Sequence, residues 1–155
     1  MNGTPAVIVI GFGNPGREDD GAGIAVAQRL EKGPPENVTV TYDYQLNVED
    51  ALEISGKDAV IFIDASVADM DSCRLSEIGP EESTDFTTHS ISPGGVLGLC
   101  SSLYGSRPRA WLLDIKGHTW EMREGLSRET QRNCDKAFDL LRSHLEKISQ
   151  NKPVE

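Results

Sequence analysis

Two short runs constrain this chain more than anything else in it: Ala6-Val-Ile-Val-Ile-Gly11 and Asp58-Ala-Val-Ile-Phe-Ile-Asp64. Each is apolar at consecutive positions, not at alternate ones. A strand with no polar side has nothing to offer water, so both runs belong in a sheet covered on two faces. Parallel strands joined by helices meet that need, and the rest of the sequence supplies them. A helix is predicted from about Asp20 to Glu31, stopped by Gly33-Pro34-Pro35. Val38 to Tyr44 alternates as a second strand, and Asn47 is placed to cap a short helix through Ile54. Met70 to Ile78 carries the weaker pattern of one or two edge strands, and Glu81 to Thr88 reads as a polar loop. Ser92-Pro93 opens a helix whose buried face is Val96, Leu97, Cys100 and Leu103. Ala110 to Ile115 is a strand, and Gly117 to Gly125 a loop or hairpin. Ser127 caps a last helix, where Cys134, Ala137, Phe138, Leu141, Leu145 and Ile148 recur at the helical period. The expected fold is an α/β three-layer sandwich, a mostly parallel sheet with helices on both faces (phosphorylase/hydrolase-like), in one domain over 1–155 with 151–155 as a tail.

Charge and composition exclude whole classes of function. With 25 Asp and Glu against 15 Lys and Arg, the formal charge of −10 is the wrong sign for a nucleic-acid partner. No apolar run approaches the ~20 residues of a membrane span. Met1 to Ala6 has no basic stretch ahead of an apolar one, so no signal peptide is expected. Cys73, Cys100 and Cys134 are odd in number and widely spaced; they read as free thiols in a reducing cytoplasm.

The turn after the first strand, Gly11-Phe-Gly13-Asn14-Pro-Gly16, admits three readings. As a G-x-G-x-x-G dinucleotide fingerprint, it would rest a pyrophosphate on the next helix. Glu18, Asp19 and Asp20 stand there and would repel it. The same glycines resemble the opening of peptidyl-tRNA hydrolases, but the stretch in which that family carries its catalytic histidine is here Arg17-Glu-Asp-Asp-Gly21. The third reading makes the acids the point. Gly11-Phe-Gly13-Asn14, followed by Asp19-Asp20-Gly21 and Gly23, resembles the N-terminal motif of the nickel-iron hydrogenase maturation proteases. Three further segments resemble that family in order: Val60-Ile-Phe-Ile-Asp64-Ala65, Thr88-His89-Ser-Ile-Ser92-Pro93, and Glu124-Gly-Leu-Ser127. The similarity runs from about Val7 to Leu145.

That resemblance implies an endopeptidase of the aspartyl type, which trims the C-terminal extension of a nickel-iron hydrogenase large-subunit precursor. It assigns contact with the nickel to Asp20, Asp64 and His89, with nickel supplied by the precursor and another divalent cation able to substitute in vitro. In an open α/β sheet, functional groups gather beyond the carboxyl ends of the strands, so these three are expected to face one cleft. Two carboxylates and an imidazole suit a divalent transition ion with positions left open. Asp20 is the ligand by register, while Asp19 is expected to support the turn or cap the helix. Gly13 and Asn14 are candidates for substrate binding, with holding the turn as the alternative for Asn14. A non-catalytic metal-dependent docking or chaperone module on the same fold is the rival reading. His118 and His144 read as a loop residue and a solvated helix face. Trp111 and Trp120 read as packing residues, Trp120 in a loop that could line the cleft.

Overall fold

The apolar runs become β1 (Val7–Phe12) and β3 (Ala59–Ser66), flanked by β2 (Val38–Asp43), β4 (Cys73–Ile78) and β5 (Arg109–Lys116). The computed structural model describes residues 3–82 and 91–150. The strands lie in the order β2-β1-β3-β5-β4. All neighbours are parallel except β4, which runs antiparallel to β5 at one edge. The central strands β1 and β3 are buried almost throughout, as their uninterrupted apolar sequence requires.

Side chains alternate across the sheet into two cores. Val9, Ile61, Leu113 and Ile115 meet α1 (Ala22–Glu31) and α4 (Arg128–Ser149) on one face. Ile8, Ile10, Val60 and Phe62 meet α2 (Asp50–Ile54) and α3 (Pro93–Tyr104) on the other. The capped starts are where the sequence puts them. Ser92 Oγ accepts from the Gly95 amide at 3.0 Å, and Ser127 Oγ from the Thr130 amide at 3.2 Å.

Four details depart from the sequence pattern. A 3-10 helix, Pro15–Gly21, occupies the turn, so α1 starts at Ala22 and not at Asp20. Asn47 heads a turn ahead of α2: its Oδ1 accepts from the Glu49 amide at 3.1 Å, and the helix begins at Asp50. Cys100 is the last α3 residue in the core, and Leu103, expected to be buried, is 62% exposed on the final turn. His144, expected on a solvated face, is only 5% exposed. It lies on the stripe of Leu141, Leu145 and Ile148, edge-on to the Trp111 ring with centroids 4.4 Å apart. Most of the expected loop at 81–88, and the tail at 151–155, fall outside the described residues.

Candidate active site at the carboxyl end of the sheet

Two glycines bring the candidate acids together. A Cβ on Gly11 would fall 2.7 Å from the Ala27 Cβ and closer still to the Gly23 carbonyl oxygen. One on Gly23 would fall 2.8 Å from the Phe12 carbonyl oxygen and collide with that of Ile63. With neither side chain present, the start of α1 lies flush on the ends of β1 and β3. The 3-10 turn that bears Asp20 therefore sits beside Asp64, which follows Ile63 directly.

Asp20 is fixed from behind. Its Oδ2 accepts from the Asn14 amide at 2.8 Å, while Asn14 Oδ1 accepts from the Gly16 amide at 2.9 Å and caps the turn. Gly13 adopts φ +138°, and a side chain there would strike the Asp20 carbonyl oxygen. Its amide donates to the Asp43 carbonyl at 3.2 Å, tying the turn to the end of β2. Gly13 and Asn14 thus build the frame that holds Asp20.

Asp64 projects from the α2/α3 face, the same face as Phe62 and Val60, two and four residues earlier. Burial pushes its carboxyl up to about 7, helped by the neighbouring negative charges of Asp20 and Asp114 and opposed by a hydrogen bond from the Ala65 amide. Asp114 is its in-register partner on β5. Burial also raises the Asp114 carboxyl, against the pull of Arg74 on β4, 3.5 Å away. Sequence reasoning passed over Asp114. The available signal was an acid closing the apolar run Ala110 to Leu113, the same arrangement that made Asp64 conspicuous.

His89 lies outside the described residues. Among the described residues, no group of three His, Cys, Asp or Glu side chains is placed to hold a metal ion. The structure brings Asp20 and Asp64 together. Helix α3, which follows the His89 segment, packs on the face to which Asp64 points and returns to the opposite end of the sheet to start β5.

Asp19 has a different surrounding. It is fully buried, and its carboxylate accepts from the amides of His118, Thr119 and Ser127 at 2.7–2.9 Å. The hydroxyls of Ser127 and Thr130, each at 2.8 Å, and of Thr119 at 3.3 Å complete the set. Burial alone would raise its pKa, but these donors hold it well below the usual carboxylate range. Asp19 supports the turn, as expected, and does so by clamping it to the loop after β5. Glu18, with φ +48°, joins in: its Oε1 accepts from the Glu121 amide at 2.9 Å. Trp120 packs its ring over Gly117 within that loop, and His118 is exposed. A pocket of about 220 Å³ between Pro15, Glu18, Ile24, Gln28 and Leu126 lies on the outer side of α1, and neither Asp20 nor Asp64 lines it.

No protein-family model matches the chain, and no curated protein matches it by sequence. Solved structures do. The hydrogenase maturating endopeptidase HybD from E. coli matches with a TM-score of 0.75 at 21% identity, over 92% of this chain and 93% of its own. A NiFe hydrogenase maturation protease, HycI from Thermococcus kodakarensis KOD1, gives 0.72 at 20% identity, over 94% and 95%. A hydrogenase 2 maturation peptidase from Thaumarchaeota archaeon SCGC_AB-539-E09 gives 0.69 at 22% identity, over 91% and 98%. The mixed five-stranded sheet and its surrounding helices are therefore the fold of the hydrogenase maturation proteases.

Proposed function

We propose that this chain is an endopeptidase that removes the C-terminal extension of a nickel-iron hydrogenase large-subunit precursor after nickel insertion. The observation that carries the reading is the meeting of Asp20, on the turn after the first strand, and Asp64, near the end of the third, on the fold that those proteases share. Two carboxylates pressed together with a third nearby repel one another. A divalent cation arriving between them is attracted to both and relieves that repulsion. The nickel enters as part of the substrate. Asp20, Asp64 and His89 are the residues that would grip it and so set the adjoining peptide bond beside the acids. Asn14 Oδ1 is committed to its turn, which leaves the Asn14 Nδ2 donors for a substrate carbonyl.

Nickel held by Asp20, Asp64 and His89 would supply a Lewis acid able to polarise a carbonyl or an attacking water. Asp64, with a carboxyl that titrates near neutrality before the substrate arrives, is suited to take a proton from water in place of a metal contact. The two routes separate by experiment, since only the first makes rate depend on the identity of the ion. The precursor and, by its free thiols, the cytoplasm complete the reading. Incubating nickel-loaded precursor with the protein and following the loss of the tail by mass tests it. Processing that stops in Asp64→Ala and His89→Ala supports the reading. Binding without cleavage by the unaltered chain overturns it in favour of a docking module.

A further inference from the structure

Beside the acid site lies a surface that combines exposed apolar side chains with charge of one sign. Helix α2 is seated on the sheet by Ala51 and Ile54, with Leu46 just ahead of it. On its outer side, Val48 and Leu52 are 56% and 57% exposed, and Tyr44 ahead of them is 67% exposed. Val48 and Leu52 are four residues apart, as are Glu49 and Glu53 in the adjacent row, both exposed. An apolar row and an acidic row therefore run side by side.

Between Gly33 and Gly56 there are five acids, Glu36, Asp43, Glu49, Asp50 and Glu53, and neither Lys nor Arg. Within this segment nothing balances that charge, and the nearest cations in sequence, Lys32 and Lys57, lie just outside it. The mutual repulsion is visible at Asp50. Its carboxyl is raised by burial and further by Asp43, Glu53 and Glu49, against one hydrogen bond from the Asn47 amide. The surface also abuts the site. The Asp43 carbonyl receives the Gly13 amide, while the far end of α2 is tied through Gly56 to Ser106 at the opposite end of the sheet. The Val48 end of α2 therefore lies at the same end of the sheet as the acids.

A second copy of this chain would set five acids against five, so the face is built against self-association. A partner with apolar anchors and basic flanks matches both rows. We infer that Tyr44, Val48 and Leu52, edged by Glu49 and Glu53, dock a basic amphipathic segment of the precursor subunit and so deliver its tail to Asp20 and Asp64. This inference rests on the processing activity proposed above.

Steady-state processing of nickel-loaded precursor at low and high salt tests it. The charge reversal Glu49→Lys with Glu53→Lys is expected to raise KM about tenfold at low salt, with kcat within about twofold and the salt dependence of KM flattened. Val48→Ser with Leu52→Ser is expected to raise KM about tenfold at both salts. Leu103→Ser, an exposed apolar residue at the far end of α3, serves as the control and leaves KM unchanged. All positions are exposed, and unchanged melting temperatures verify folding. If either double variant keeps the unaltered KM, the docking surface is overturned while the processing activity stands. If the unaltered chain does not process the precursor, the activity fails and the docking inference falls with it.

Discussion

Asp19 and Asp20 are neighbours in the chain and opposites in surroundings. Asp19 is fully buried yet ionised, because six hydrogen bonds converge on it from residues 118 to 130. Asp20 has one amide, from Asn14, and leans on Asp64, a second acid whose proton is held by burial and like charge. The first carboxylate has donors in excess and serves the fold. The second pair gathers negative charge, which is a liability for the fold and a resource for the cation contact proposed above. Burial alone does not separate the two roles; the sign of the surroundings does.

The sharpest way to break that contrast is to remove each acid in turn. Asp20→Ala and Asp64→Ala are expected to cut processing of the precursor at least ~10³-fold, with no loss of folding that could account for it. Asp19→Ala is expected to do the reverse first: a loss of about 3–5 kcal/mol in chemical denaturation, since the His118, Thr119 and Ser127 amides lose a buried acceptor. A stable Asp19→Ala protein would show that the clamp is dispensable.

Titration sharpens the same point. The folded Asp64 carboxyl binds its proton more tightly than the unfolded one, about 7 against 3.8, so folding stability declines as pH rises through that interval. Asp64→Asn should abolish the decline, and above pH 7 the variant should be more stable by about 1–3 kcal/mol while inactive. The smallest effect concerns His144, whose imidazole is held neutral by burial and by nearby Lys147 and Arg109, with pKa lowered to about 4. Here the unfolded state binds the proton more tightly, so stability falls as pH drops from 6.5 towards 4. His144→Leu should flatten that acid limb by about 1 kcal/mol, read from urea midpoints at pH 5 and pH 7.

Much of this was legible in the sequence because it depends on local pattern. The unbroken apolar runs gave away β1 and β3, and Ser92 and Ser127 marked their helices as side-chain caps must. Asp64 stands out as an acid closing an apolar run, whereas Asp20 is singled out from Asp19 only by its register in the motif that the chain resembles. Register and packing were less accessible. Asp114 matters because β5 lies next to β3 in one particular alignment, which no single strand's sequence states. His144 occupies a stripe position, but its polar type points to solvent while its spacing points to the core. Leu103 made the opposite error possible: its spacing continues past the point where the core stops.

The Asp19 clamp also bears on the order in which the molecule comes into being. Its donors lie 99 to 111 residues further along the chain. While the polypeptide is still being translated, the turn that presents Asp20 has only its local frame of Gly13 and Asn14, and the clamp closes after residues 118–130 have emerged. The Asp19 clamp is thus among the last contacts of the fold to form, although its acceptor is among the first residues made.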